Sequence, residues 1–176
     1  MAAEQSTTDN VIEHEVRVAA SPDTVFEYFT DPAKMVQWMG TEATLDPRPG
    51  GVCRLGMGGL SVMSGQFVEV HSPSRIVFTW GWETEVFSTP PQSTVVEVDL
   101  TAAGGETVVH VVHRRLRPDA AGAHRVGWQH YLPRLALAAT GRNAGPDPWC
   151  EMDAVLHDLR TAGLIPPDAA AEASPQ

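Results

Sequence analysis

Hydrophobic and polar positions alternate along much of the first two thirds of the chain. Within Val11–Ala19, the residues Ile12, His14, Val16 and Val18 share one face and charged residues share the other. This period of two predicts a half-buried strand. Similar patterns follow from about Thr41 to Leu116, and the clearest are Val52–Met57, Ser61–Val70, Arg75–Trp82, Val95–Ala102 and Thr107–Leu116. The pattern therefore predicts a meander of about seven strands, counting the first.

Helices are predicted before and after this strand run. Ser21-Pro22 and Asp31-Pro32 each place a capping residue before a proline, which predicts short helices near Pro22–Phe29 and Pro32–Trp38. A longer helix is predicted at Asp119–Thr140, where apolar residues recur at helical spacing: Trp128, Leu132, Leu135 and Ala139. Pro133 predicts a kink or break inside that helix. The proline-rich segment Glu83–Gln92 is predicted to be a loop.

The order of these segments predicts an α+β fold. A curved antiparallel sheet of six to seven strands would wrap around the long C-terminal helix, with the two short helices after the first strand. Such an arrangement often encloses a cavity. Residues 11–141 would form this domain, between a disordered N-terminus (1–10) and an extension (142–165) with a short helix within Pro148–Gly163. Residues 166–176 are predicted to be a disordered tail.

Composition narrows the function. The 176 residues carry a formal net charge of −10, which argues against nucleic-acid binding and against anionic membrane surfaces. No apolar stretch approaches the ~20 residues of a membrane-spanning helix, and no signal peptide is visible, so a soluble cytoplasmic protein is expected. The two cysteines, Cys53 and Cys150, indicate neither a disulfide framework nor a structural zinc site.

Few polar residues suggest chemistry. The histidines lack the local spacing for a shared metal, and neither a Gly-x-Ser-x-Gly motif nor a phosphate loop occurs, so no metal, cofactor or catalytic residue is assigned. His14 and His113 are predicted to face inwards, either as hydrogen-bonded core histidines or as ligand contacts. Glu69 shares strand parity with Met63 and Phe67, so it is a candidate cavity carboxylate, the alternative being a surface charge. Glu97 and Asp99 are predicted to face solvent.

Aromatic and methionine side chains are the strongest indication of a ligand-binding pocket in this sequence. Nine of them could converge on one volume: Trp38, Met57, Met63, Phe67, Phe78, Trp80, Trp82, Trp128 and Tyr131. Such a set suits an adaptable apolar pocket, and it equally suits an ordinary packed core, so both interpretations stay open. Together with His14, Glu69 and His113, these residues form the predicted ligand-binding set.

Several short motifs resemble one known family. They include Val16–Ala20 with Ser21-Pro22, Trp38, Arg48-Pro49-Gly50-Gly51, Phe78-Thr79-Trp80, His113 and Gly127-Trp128. In this order they resemble the activator-of-Hsp90-ATPase-like family of the START-like superfamily, over residues 11–141. The resemblance implies a helix-grip fold with an internal cavity.

The superfamily hosts many activities, so the resemblance leaves three functions open. The favoured hypothesis is a binding protein for an apolar or aromatic small molecule, without assigned catalysis. The alternatives are an enzyme of the polyketide cyclase or aromatase type, and a co-chaperone-like ATPase activator acting through its surface. Whether the chain forms a homodimer is left open.

Overall fold

The computed structural model describes residues 10–85 and 87–166. Seven strands occur: β1 Asn10–Val18, β2 Glu42–Leu45, β3 Val52–Gly56, β4 Val62–His71, β5 Arg75–Trp80, β6 Thr94–Ala103 and β7 Glu106–Leu116. The α-helices are α1 Pro22–Thr30, α2 Pro32–Met35, α3 Pro118–Ala138 and α4 Met152–Thr161, and a 3₁₀ helix spans Pro148–Cys150. The predicted disordered ends lie outside the described residues except for Asn10, which begins β1, and Pro166.

The strands form one antiparallel sheet in the order β1-β7-β6-β5-β4-β3-β2. The sheet curves around α3, which confirms the predicted α+β architecture. Gly65 in β4 shows how closely neighbouring strands approach, because a Cβ added there would lie 1.8 Å from the Thr79 carbonyl oxygen. Only glycine therefore fits this point of the sheet.

Both predicted helix caps are present. The Ser21 hydroxyl accepts a hydrogen bond from the Thr24 N–H at 3.2 Å, and the Asp31 carboxylate accepts one from the Ala33 N–H at 2.8 Å. The helix that follows Asp31 ends at Met35, three residues before the predicted end at Trp38. Trp38 is nevertheless buried, and its indole N–H donates to the Tyr28 carbonyl at 2.9 Å.

Pro133 was predicted to kink or break the long helix, and the break is wrong, because α3 runs without interruption from Pro118 to Ala138. Pro133 and Gln129 both lie on the exposed face of α3. The carbonyl at position 129, which a proline four residues later leaves without its helical donor, is therefore on the side of the helix that faces water. This placement explains why the helix tolerates the proline.

Of the two interpretations of Glu69, the structure contradicts the cavity carboxylate and supports the surface charge. A β-bulge between Phe67 and Glu69 shifts the register, so that Phe67 pairs with Phe78 whereas Glu69 pairs with Val77. The extra residue turns Glu69 to the outer face of the sheet, where Arg75 Nε donates to its carboxylate at 3.1 Å. Arg75 also donates to Asp99 at 3.0 Å, on the same outer face as Glu97. The prediction that Glu97 and Asp99 face outwards is confirmed.

Residues 142–165 pack back onto the domain and include the predicted short helix, here α4 preceded by the 3₁₀ helix. Buried Trp149, Val155 and Leu159 join these helices to the main hydrophobic core. Among the described helices, none is long and apolar enough to cross a membrane.

Candidate functional site

An aromatic cluster centred on Trp80 occupies the interior between the sheet and α3. Alternation along β5 turns Phe78 and Trp80 inwards, and Trp82 keeps the same phase through a single bridge to Met63. The Trp80 ring lies 5.5 Å from that of Trp82 and 5.7 Å from that of Trp128 on α3. These near-perpendicular and tilted arrangements are favourable for aromatic pairs. The cluster therefore joins the sheet to the helix.

His113 lies inside this cluster and is fully buried. The Trp128 indole N–H donates to His113 Nδ1 at 3.2 Å. His113 Nε2 lies 2.7 Å from the Thr94 hydroxyl, which itself donates to the Trp80 carbonyl. Because Nδ1 accepts and the Thr94 proton is already committed, the network assigns the imidazole proton to Nε2.

His124 on α3 is bonded in a similar way. The Trp82 indole N–H donates to His124 Nε2 at 3.3 Å. His124 Nδ1 lies 2.8 Å from the Ala120 carbonyl, one turn earlier in the helix, so Nδ1 carries the proton and donates. The two imidazole rings are 5.1 Å apart.

Both histidines are therefore neutral. Burial lowers the pKa of His124 to about 4, although the bond to Ala120 opposes this shift. Burial, with a smaller contribution from His124, holds the pKa of His113 well below its ordinary value. Protonating either ring would place a hydrogen on the nitrogen that now accepts from a tryptophan, so each indole N–H would lose its partner.

The Trp80 indole differs from its two neighbours. Trp80 is 5% exposed, and its Nε1 atom has no hydrogen-bond partner among the described residues. A buried N–H group without an acceptor is unfavourable, because it has lost its bond to water. Trp80 also lines a cavity beside the cluster.

A partly enclosed cavity of about 30 Å³ lies beside this cluster. Its walls are aromatic, aliphatic and sulfur-containing side chains. The lining consists of Met39, Met57, Leu60, Trp80, Trp82, Phe87, Ala123, His124, Gly127, Trp128, Tyr131 and Trp149. This volume has room for about one water molecule.

The structure brings five of the twelve predicted site residues to this cavity: Met57, Trp80, Trp82, Trp128 and Tyr131. Five more are buried in the surrounding core without lining the cavity: Trp38, Met63, Phe67, Phe78 and His113. His14 is half-buried on β1, where burial and the nearby Arg125 lower its pKa, and it lies outside the lining. Glu69 lies on the outer face.

Sequence reasoning missed seven lining residues. They differ in whether the sequence contains a pattern that could have placed them. His124 precedes Trp128 by four residues, so helical spacing alone places both on one face. Met39 and Leu60 lie in turns, where no periodicity indicates the direction of a side chain. Phe87 and Trp149 come from a loop and from the extension, which reach the cavity only through tertiary packing.

Trp149 closes one side of the cavity. Its ring stacks on His130 of α3 at 4.8 Å with an interplanar angle of 11°, and its indole N–H donates to Asp158 at 2.7 Å. Asp147 accepts hydrogen bonds from the Trp149 backbone N–H at 3.0 Å and pairs with His130 at 2.7 Å. These contacts fix a large aromatic side chain of the extension against the body of the domain.

Arg134 of α3 anchors the beginning of the extension. Its guanidinium donates to the carbonyls of Ala144 at 3.1 Å, Gly145 at 2.8 Å and Pro146 at 3.4 Å, and also to Trp38 at 3.2 Å. On the other side, the Gly59 N–H donates to the Cys150 carbonyl at 2.6 Å. The extension is thus held at one point by the Arg134 guanidinium and at another by the turn between β3 and β4 that contains Gly59.

Asp147 also affects Tyr131. Burial of Tyr131 and the adjacent Asp147 carboxylate raise the pKa of the phenol. Burial disfavours the ionised form of Asp147, but its bonds from His130 and from the Trp149 N–H outweigh this, and its pKa lies below the usual range. Tyr131 is therefore a neutral phenol in the cavity wall.

Other depressions are larger but open to solvent. One of about 660 Å³ lies beside the loop that contains Pro90 and Pro91, and another of about 500 Å³ lies between α3 and the extension. Their walls are mainly loops and charged or polar residues. Within the described ranges, no group of three or more His, Cys, Asp or Glu residues could hold a metal ion.

Comparisons with known proteins agree on one family. A sequence model described as "Activator of Hsp90 ATPase homolog 1-like protein" matches residues 19–139. The AHSA1-like protein RHE_CH02687 of Rhizobium etli is 41% identical, with a TM-score of 0.63 over 80% of this chain and 88% of that one. A search of curated proteins finds no match.

More distant solved structures share the fold. CalU16 of Micromonospora echinospora is 22% identical, with a TM-score of 0.65 over 88% of this chain and 87% of that one. PFC0360w, an HSP90 activator of Plasmodium falciparum, is 21% identical, with a TM-score of 0.59 over 71% of this chain and 92% of that one. On the family match and the 41% identity, the chain belongs to the activator of Hsp90 ATPase homolog 1-like family and has its START-like fold.

Proposed function

We propose that this protein binds an apolar small molecule between α3 and the concave face of the sheet. The observation that carries the proposal is the partly enclosed cavity whose walls are aromatic, methionine and aliphatic side chains. Its two titratable lining groups, His124 and Tyr131, are both neutral. A cavity without charge in the centre of such a fold favours an uncharged, apolar ligand.

The ligand must displace side chains, because pockets for small molecules usually measure about 300–1,000 Å³ and this cavity measures about 30 Å³. Two lining rings come from outside the sheet and α3, and these are the rings that a ligand would replace. Phe87 lies in the loop between β5 and β6, and Trp149 belongs to the extension, where its contacts with His130 and Asp158 would have to break. A ligand that replaces one of these rings exchanges one set of apolar contacts for another. Met39 and Met57 adapt readily to a new shape.

The bonding of the histidines favours binding over turnover. A general base needs an unoccupied lone pair within reach of the substrate. The lone pair of His124 accepts from Trp82, and that of His113 accepts from Trp128. The likeness to the Plasmodium HSP90 activator is at 21% identity, and it extends to the fold alone.

A titration with prodan, an uncharged dye that has no hydrogen-bond donor and brightens in apolar surroundings, tests the proposal. We expect saturable one-to-one binding to the native protein. Ala123→Leu adds three carbons to the cavity wall and should reduce the affinity about tenfold or more. Ala136→Leu, on the same helix outside the lining, is the matched control and should retain binding.

The proposal is wrong if the dye does not bind saturably, or if Ala123→Leu and Ala136→Leu bind it as well as the native protein does. Circular dichroism of each variant checks that the fold is kept, since overfilling a core costs about 1–3 kcal/mol. Native mass spectrometry of the freshly purified protein would then identify a retained molecule.

A further inference from the structure

Among the four indoles that line the cavity beside α3, one has an unused donor. The other three, Trp82, Trp128 and Trp149, each donate to a side chain. The Trp80 side chain is only 5% exposed, and its Nε1 has no acceptor within the described part of the chain. A protein normally pairs such a group, so its position at a cavity points to an external acceptor.

The side chains that line the cavity provide no unoccupied acceptor for a hydrogen-bond donor on a ligand. The single lone pair on the ring nitrogens of each neutral histidine already accepts from an indole. The Tyr131 hydroxyl lies beside the Asp147 carboxylate, on the side of the extension. A ligand that brings a hydrogen-bond donor into this space would bury that donor unpaired, and a charged ligand would lack a counter-ion.

We infer that the ligand is an uncharged apolar molecule with one hydrogen-bond acceptor, such as a ketone, quinone or ether oxygen, which accepts from Trp80 Nε1. This inference rests on the proposed function and adds to it the polarity of the ligand and the residue that recognises it. Trp80 is then a specificity residue: it selects acceptor-bearing molecules over hydrocarbons and over donors of the same shape.

Three tricyclic molecules of nearly equal shape make the test: fluorene, which has no polar group, fluorenone, which adds an acceptor, and carbazole, which adds a donor. Their affinities are measured by competition with the dye. We expect the native protein to bind fluorenone about tenfold more tightly than fluorene, since an unpaired donor gains its partner. Carbazole should bind no more tightly than fluorene.

Two variants assign the effect to one indole. Trp80→Phe removes the unused donor, so the preference for fluorenone over fluorene should fall to about one. Trp82→Phe is the matched control, because its N–H is already bonded to His124. It should keep the preference for fluorenone, and it should gain affinity for carbazole because His124 Nε2 becomes available as an acceptor.

Nuclear magnetic resonance of the native protein with ¹⁵N-labelled tryptophan gives a readout that does not depend on the folding of variants. Of the five indole N–H signals, the Trp80 proton should lie further downfield with fluorenone than with fluorene, because the two ring systems shift it alike and only fluorenone adds a hydrogen bond. Equal affinities for fluorenone and fluorene, or a Trp80 signal at the same position in both complexes, would overturn the inference and leave apolar binding intact. If none of the three molecules and no dye bind, it is the proposed function that fails.

Discussion

At the scale of single residues, two neutral histidines stabilise the interior by accepting hydrogen bonds from tryptophan indoles. Strand parity predicts that His113 points inwards, and helical spacing places His124 on the face of Trp128. Their partners could not be predicted, because Trp82 is 42 residues from His124 along the chain and the bond depends on how the helix docks. Sequence therefore locates the polar atoms of this core, whereas tertiary structure decides which nitrogen accepts.

The pH dependence of stability should report this arrangement. An unfolded histidine binds a proton near its ordinary pKa of 6.5, whereas His124 in the folded protein does so only near 4. Between these values the unfolded state holds more protons. The free energy of unfolding should therefore fall as the pH drops from about 6.5 towards 4, by up to about 1.4 kcal/mol per pH unit from His124 alone. Above pH 6.5 His124 should contribute no slope.

Urea unfolding of the native protein and of His124→Gln measures this contribution. Glutamine can donate and accept in place of the imidazole without titrating. The free energy of unfolding of the variant should fall less steeply over the same pH range. The difference between the two slopes should correspond to about one proton. Identical slopes for both proteins would show that His124 is not held neutral by the fold.

At the scale of secondary-structure elements, the order and type of segments were predictable, and their irregularities were not. Alternation and capping residues predicted six of the seven strands, α1 and α3 closely, whereas the short β2 had no predicted bounds. The bulge at Phe67 and Glu69 escaped prediction, because an added residue leaves the alternation before and after it unchanged while it reverses the face. Likewise, Pro133 predicted a break, and only its position on the exposed face of α3 explains the continuous helix.

Arg134 offers a test of how the extension is attached. Its guanidinium bonds carbonyls of three consecutive extension residues, 144 to 146. Hydrogen bonds to a charged group contribute about 1.5–3 kcal/mol each, so Arg134→Gln should loosen residues 142–165. Amide hydrogen exchange in α4 should accelerate about tenfold or more, while exchange in β6 and β7 changes little.

Arg142→Gln is the control for Arg134→Gln, since it makes the same chemical change at an exposed position of the extension. Its exchange pattern should match that of the native protein. Equal protection of α4 in the native protein and in Arg134→Gln would mean that the apolar contacts of Trp149, Val155 and Leu159 hold the extension without the arginine.

At the scale of the whole molecule, charge and aromatic content are separated by the sheet. The outer face carries ion pairs such as those of Arg75 with Glu69 and Asp99, which are partly exposed and each contribute little to stability. The inner face carries the aromatic cluster. The sequence predicted a hollow interior, yet the cavity is only about 30 Å³. Rings from the extension and from the β5–β6 loop, which no periodicity could place, occupy part of the space.

A ligand should therefore be able to take the place of the Trp149 ring, which the extension contributes to the cavity wall. Trp149→Ala removes a 3%-exposed side chain that lines the cavity, and we expect a loss of about 3–5 kcal/mol in the free energy of unfolding. Free indole should restore much of this loss, by about 2.7 kcal/mol at a hundred times its dissociation constant. Thermal unfolding with increasing indole measures the recovery. Val155→Ala, at a buried residue of the same extension outside the lining, should be destabilised, and indole should restore much less of its loss. If indole stabilises neither variant, or both equally, Trp149 does not occupy space that a ligand can reach.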